Sequence, residues 1–234
     1  MNYAAEIFTS TIVALGHFNP AIFTPDWLER NGLIGSGDAD GIRESTDGRQ
    51  IIISNQATSY ESDWFGIQVL EDKITLSSKG ALSPAFKDLA AGIFQLVPHT
   101  PMIAVGMNFL GHFKIPSQEQ YHQIGDLLAP KDIWNKLYPE ETPGLGQLVI
   151  RIQKGTRDKP AQTKNEKRIS VQQSAAIKFG IFFSYNDHHE LTEIEDHELQ
   201  PAEHAVRIID QEWEPAWHDA LRVFDGVLTA TIGA

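Results

Sequence analysis

A stretch at mid-chain, Met102 to Phe113 (M-I-A-V-G-M-N-F-L-G-H-F), restricts the fold more than any other. Its β-branched and aromatic content reads as a long strand. It ends in Gly111-His112-Phe113, the same tripeptide that closes the opening stretch as Gly16-His17-Phe18. Two further pairs keep the same order: Phe65-Gly66-Ile67 with Phe179-Gly180-Ile181, and Pro84-Ala85-x-x-Asp88 with Pro215-Ala216-x-x-Asp219. The copies are 95, 114 and 131 residues apart, so the pairs are collinear and insertions accumulate in the second half. The apolar steps also match. Phe86, Leu89, Ala90, Ile93, Leu96 and Val97 keep the phase of Trp217, Ala220, Leu221, Phe224, Val227 and Leu228, which gives one apolar helix face in each half. The pattern predicts an internal duplication. The competing reading is two unrelated amphipathic helices that both open at a proline.

Local signals place the elements. Glu6 to Phe18 reads as a strand stopped by Asn19-Pro20. Thr24-Pro25-Asp26 opens a short helix that ends at Asn31-Gly32. Gly35 to Gly48 reads as an acidic loop. Its Asp38, Asp40 and Asp47 hint at a calcium loop, but the required bidentate Glu is missing. Gln50 to Ser54, Trp64 to Leu70 and Ile74 to Ser77 read as strands, followed by a helix over Leu82 to Val97. After the Pro98 to Pro101 junction and the Met102 strand, Ser117 to Tyr138 reads as helix interrupted near Ala129 to Asp132. Strands are expected over Leu148 to Gln153, Arg168 to Gln172 and Ala175 to Tyr185. Asn186 to Ala202 reads as a polar loop, and His204 to Leu228 as a long helix with a possible break at Glu214-Pro215.

The predicted fold is therefore α+β: a strand–helix–antiparallel strands–helix unit used twice, 1–97 and 98–234, around one core. A curved antiparallel sheet would carry the long helices on one face. In element order this resembles the TATA-binding-protein-like or helix-grip arrangement. The chain also resembles a sporadically distributed family of uncharacterised bacterial proteins. That resemblance is carried by the opening strand ending at Asn19-Pro20, I-Q-V-L-E-D at 67–72, R-I-S-V-Q at 168–172 and the closing helix with Glu212-Trp213. It implies no catalytic residue and no cofactor.

Composition narrows the function classes. The net charge of −12 disfavours binding nucleic acid over the whole surface. There is no cysteine, hence no disulfide framework and no thiolate chemistry. The first residues lack a basic n-region, and no stretch reaches the ~20 apolar residues of a membrane span, so a cytoplasmic protein without a secretory leader is expected.

Three constellations carry functional expectations. Arg151, Lys154, Arg157, Lys159, Lys164, Lys167 and Arg168 give the 151–168 hairpin a charge of +5, while 190–214 carries −8. This hairpin is the predicted partner-binding element, projecting from the sheet toward a protein partner or a second copy. Nucleic acid is the alternative ligand. Asp187, His188, His189 and Glu190, with His197 and His204 downstream, are the candidates for a metal-dependent hydrolase or nuclease. Adjacent strand residues point to opposite faces, however, and no zinc-ligand spacing is present. His17 and His112 close corresponding strands and are expected near one another, with a structural role favoured over anion binding. With no phosphate loop, dinucleotide fingerprint or nucleophile elbow, the expectation is a non-catalytic binding or scaffold subunit of a bacterial multi-component system, such as a defence system.

Overall fold

The computed structural model describes residues 3–44, 50–80, 83–156, 158–160, 165–191 and 199–232. The protein is mixed α+β. β1 (Ile7–Gly16) leads through a 3₁₀ turn at Pro20–Ile22 to α1 (Pro25–Arg30) and α2 (Ser36–Arg43). Then come β2 (Ile52–Ile53), β3 (Ala57–Glu61), β4 (Phe65–Leu70), β5 (Lys73–Ser78) and α3 (Pro84–Gln95). The second half runs β6 (Met102–Lys114), α4 (Gln118–Leu128), α5 (Asp132–Leu137) and β7 (Gln147–Gln153). It continues through β8 (Gly155–Thr156), β9 (Lys159–Pro160), β10 (Glu166–Gln173), β11 (Gly180–Glu190) and α6 (Pro201–Ile232). Among the described residues nine strands form one sheet in the order β2-β3-β4-β5-β1-β6-β11-β10-β7, with every pairing antiparallel.

The two halves meet at β1 and β6, paired from Ile7↔His112 to Gly16↔Met102. Alternation sends Ile12, Ala14, Val105, Met107, Phe109 and Phe113 to one face, where all are buried. α6 lies on that face. Its Trp213 is buried with its ring centroid 5.0 Å from Phe109 and 5.7 Å from Phe86 of α3. A single apolar cluster thus takes residues from both halves. Among the described residues no helix lies on the opposite face of the sheet.

Gly16 is dictated by a close approach. A Cβ there would lie 2.2 Å from the Pro101 carbonyl oxygen, which instead accepts from the His17 N–H at 2.9 Å. The junction between the halves therefore rests directly on the end of β1.

Several local expectations differ. Gly35 to Gly48 is not all loop, since α2 occupies its first part and 45–49 lies outside the described residues. Two glycines make α2 a poor intrinsic helix, but Ala39 and Ile42 are buried. The acids expected to decorate a loop hold it in place. Asp38 Oδ1 accepts from the Trp64 indole N–H at 3.0 Å, and Arg43 joins Asp26, Glu29 and Asp40. β3 was not expected. Its Thr58 and Tyr60 face inward and donate to the Pro20 and Phe23 carbonyls at 2.8 and 2.9 Å. β11 starts at Gly180, later than expected, because Ser174 accepts from the Ala176 and Ile177 amides and turns the chain. It then runs on to Glu190 through residues expected to be loop. α6 continues unbroken through Pro215, with Trp213 and Ala216 buried on either side.

Of the three sequence pairs, the first falls near the C-terminal ends of the two central strands, β1 and β6, and the other two do not fall on matching places. Phe65-Gly66-Ile67 starts β4, two strands from β1, whereas Gly180-Ile181 enters β11, directly beside β6. Pro84 opens α3, whereas Pro215 lies inside α6, which opens at Pro201. Nor are His17 and His112 neighbours. Antiparallel pairing puts them at opposite ends of β1, about 30 Å apart. His112 bonds Ser174 Oγ at 2.8 Å and packs on Phe182, and its burial lowers its pKa.

Phe86 is fully buried as expected, but Trp217 is only half-buried, edge-on to Phe8 at 4.6 Å, and Trp213 takes the central position. Phe86→Ala and Trp213→Ala should each cost about 3–5 kcal/mol in denaturant unfolding. The Trp213 indole nitrogen is buried without a hydrogen-bond partner. Trp213→Phe should therefore cost less than about 2 kcal/mol, because no hydrogen bond is lost.

Candidate binding face

The uncovered face of the sheet bears side chains aligned in register. From Glu61 the row passes through Gly66, Ser77, Thr11, Asn108, Asn186 and Arg168 to Arg151, each opposite the next on neighbouring strands. Its centre is hydrogen-bonded across three strands. Asn108 Nδ2 donates to Thr11 Oγ1 at 3.0 Å, and Asn186 Nδ2 donates to Asn108 Oδ1 at 2.7 Å. Gly106 lies beside the row, and a Cβ there would come within 3.0 Å of Asn186 Nδ2. The small side chains Ala104, Ser170 and Ser184 keep the surroundings low.

The result is a depression of about 530 Å³ bounded by Val13 and Leu15 on β1 and by Val149 on β7. Those strands are four inter-strand steps apart, roughly 19 Å. Several of the side chains between those margins are small, and this opens the depression. Its floor offers amides and hydroxyls, its margins are aliphatic, and one end is cationic.

The cationic end is built on a carboxylate. Glu166 is buried, with Arg151 Nε at 3.0 Å from one oxygen and Arg168 Nε bonded to the other. Gln153 adds a third donor at 3.3 Å. Two arginines placed opposite each other would repel, and the shared carboxylate offsets this while leaving the pair a net positive charge. Both remain half-exposed on the open face, at 62% and 52%.

Of the other expected partner-binding residues, Lys167 points the opposite way. Its Nζ is 2.6 Å from Asp219 Oδ2 on α6, the same oxygen that accepts from Tyr185 Oη at 2.7 Å, while Arg222 holds Oδ1. Lys154 and Lys159 are exposed on or beside the β8–β9 ribbon, which forms its own two-stranded sheet. Arg157 and Lys164 lie outside the described residues.

The His-acid candidates separate as strand alternation requires. His188 and Glu190 are on the open face, 3.7 Å apart, while Asp187 and His189 face α6, 3.3 Å apart. The latter pair lines a second cavity of about 460 Å³ with Glu212 and Pro215. His204 is buried in α6, and His197 lies outside the described residues. Among the described residues no three His, Asp or Glu side chains are grouped to hold a metal ion. The four-residue ligand set expected from sequence is therefore not assembled, because it was placed on a loop and β11 extends through it.

The open-face row was not singled out from sequence. The only trace was a period-two run of small and polar residues, Ala104-Gly106-Asn108 and Ser184-Asn186-His188. No model of a known protein family matches the chain, and no curated protein matches it. No helix among the described residues is long and apolar enough to cross a membrane.

Burial alone would raise the pKa of Asp219, but hydrogen bonds from Lys167, Tyr185 and Arg222 outweigh it and hold the carboxyl at about 2. A depressed carboxylate contributes stability above its unfolded pKa of about 3.9, and that contribution disappears as pH falls toward 2. Asp219→Asn should therefore lower stability by about 1–2 kcal/mol at pH 7, after allowance for screening on the exposed Arg222 side. Unfolding titrations between pH 7 and pH 2 should show the gap to the parent protein closing over the lowest two units.

Proposed function

We propose that this protein is a non-catalytic binding or scaffold subunit that lays a protein partner across the open face, anchored at Arg151 and Arg168. The observation that carries this reading is the depression spanning β1 to β7, with self-satisfied amides on its floor and two half-exposed arginines at one end. A floor whose polar groups already satisfy one another can be desolvated at little cost. An acidic or carbonyl-rich segment would then meet the guanidinium groups, which retain N–H donors beyond those used on Glu166.

A protein partner is favoured over nucleic acid because much of the 151–168 charge is used internally. Arg151 and Arg168 share Glu166, and Lys167 is tied to Asp219. The setting we propose is a bacterial multi-component system in the cytoplasm. We also propose that the two halves, 1–97 and 98–234, arose by duplication in a TATA-binding-protein-like or helix-grip arrangement. Its support is the order of elements and the way each half-sheet extends outward from the β1–β6 pair. The misplaced sequence pairs give it none.

Native co-purification followed by affinity measurement on the captured protein tests the reading. Ser184→Trp, which fills the depression, and Arg168→Gln, which removes one anchor, should each weaken the captured complex at least tenfold with an unchanged far-ultraviolet spectrum. Removing the ribbon should stop at Lys164, because Asn165 Oδ1 accepts from the Glu190 N–H at 2.7 Å and Glu166 is the buried carboxylate. That shortened chain should fold. Unaltered partner binding by Ser184→Trp, or a stoichiometric metal in the purified protein, would overturn the proposal. A salt-sensitive gel shift lost on charge reversal of Lys154 and Lys159 would support nucleic acid instead.

A further inference from the structure

The two edges of the sheet are unlike. The β2 edge is two residues long, too short to template another strand. The β7 edge is seven residues, Q-L-V-I-R-I-Q, paired to β10 without a register shift and lacking proline and lysine. Its aliphatics are open to solvent on both faces: Val149 is 54% exposed, Ile150 45% and Ile152 46%. α5, which leads into this strand, exposes Ile133, Trp134, Leu137 and Tyr138. Long apolar edges of this kind are normally protected by charge, a bulge or a cover. Here the one charge, Arg151, is already bound to Glu166.

We infer that β7 pairs antiparallel with β7 of a second copy of this chain, about a two-fold axis through Ile150. The sequence of the strand is what selects a second copy. In that register Ile150 meets Ile150, Leu148 meets Ile152 and Val149 meets Arg151, while Gln147 meets Gln153 with complementary amides. No charge faces its like. Direct antiparallel opposition keeps each residue on its own face, so both helix layers lie on one side and both open faces on the other. Antiparallel pairing also carries the Lys154 end of each strand past the Gly146 end of its mate, where Glu140 and Glu141 lie in the preceding loop. An isologous contact of this kind closes on itself and leaves no free β7 edge to propagate. The inference does not depend on what the open face binds.

The test is the oligomeric state of the full chain. Sedimentation over a hundredfold concentration range should give twice the chain mass, and Ile150→Lys should return it to a single chain mass with an unchanged far-ultraviolet spectrum and a melting temperature that no longer rises with concentration. The chain has no cysteine, so Ile150→Cys alone reports the axis. Directly opposed antiparallel residues have Cα atoms about 4.5–5.5 Å apart, within disulfide range. Mild oxidation should link Ile150→Cys into a covalent dimer and leave Ile52→Cys, on the other edge, unlinked. A parent chain that stays monomeric throughout overturns the inference, as does a dimer that survives Ile150→Lys. So does linkage at Ile52 and not at Ile150, and this cysteine result stands even if the lysine variant fails to fold.

Discussion

Everything in this protein depends on the ladder between β1 and β6. It joins residues nearly a hundred positions apart, from Ile7 opposite His112 to Gly16 opposite Met102. The loop-closure entropy of such a pairing must be met before its contacts contribute. What offsets it is the apolar layer on one side. Ile12, Ala14, Val105, Met107 and Phe109 present a continuous surface to Trp213 and Trp217 of α6, and α3 closes the layer through Phe86. Neither half has a complete core without the other. The close seat of Pro101 on Gly16 fixes how the chain passes from one half to the next.

Covering only one face of a wide antiparallel sheet leaves the other face to water, and alternation then decides what water meets. At the middle of β6 and β11 the outward residues Gly106, Asn108, Ser184 and Asn186 are small or carry amides, so the face is low there and rises at Leu15 and Val149. The Thr11–Asn108–Asn186 chain gives the centre a fixed polar pattern. Two hydrogen bonds hold Thr11, Asn108 and Asn186 in line across three strands. The His and acid side chains of β11 alternate between its two faces, His188 with Glu190 on the open one and Asp187 with His189 toward α6.

Linear charge and surface charge differ here for a specific reason. The 151–168 stretch is strongly basic in sequence, yet two of its arginines converge on the Glu166 carboxylate, and Lys167 crosses to Asp219 on α6. Part of the basic segment thus ties the hairpin base to the acidic helix, while Lys154 and Lys159 stay exposed on or beside the ribbon beyond. The same neutralisation leaves the β7 edge beside it with an apolar character that its sequence neighbourhood conceals.

The sequence by itself determined the mixed α+β class, the long central strand, the α4–α5 break and the cap at Thr24, because these rest on local periodicity, proline and side-chain capping. It also placed Phe86 in the core. Tertiary structure alone decided the rest. α2 forms despite its glycines because Arg43, Asp38 and a buried Ile42 are held by neighbours distant in sequence. α6 runs through Pro215 because packing on both sides outweighs one missing hydrogen bond. β11 outlasts its apolar stretch because β6 and β10 supply ladder partners for Asn186 to His188 on both sides, and β6 alone for His189 and Glu190. The open-face row was illegible for the same reason. A row such as Thr11, Asn108, Asn186, Arg168 and Arg151 has no spacing in sequence that reveals it, because only the pairing of five strands in one register brings those residues into line.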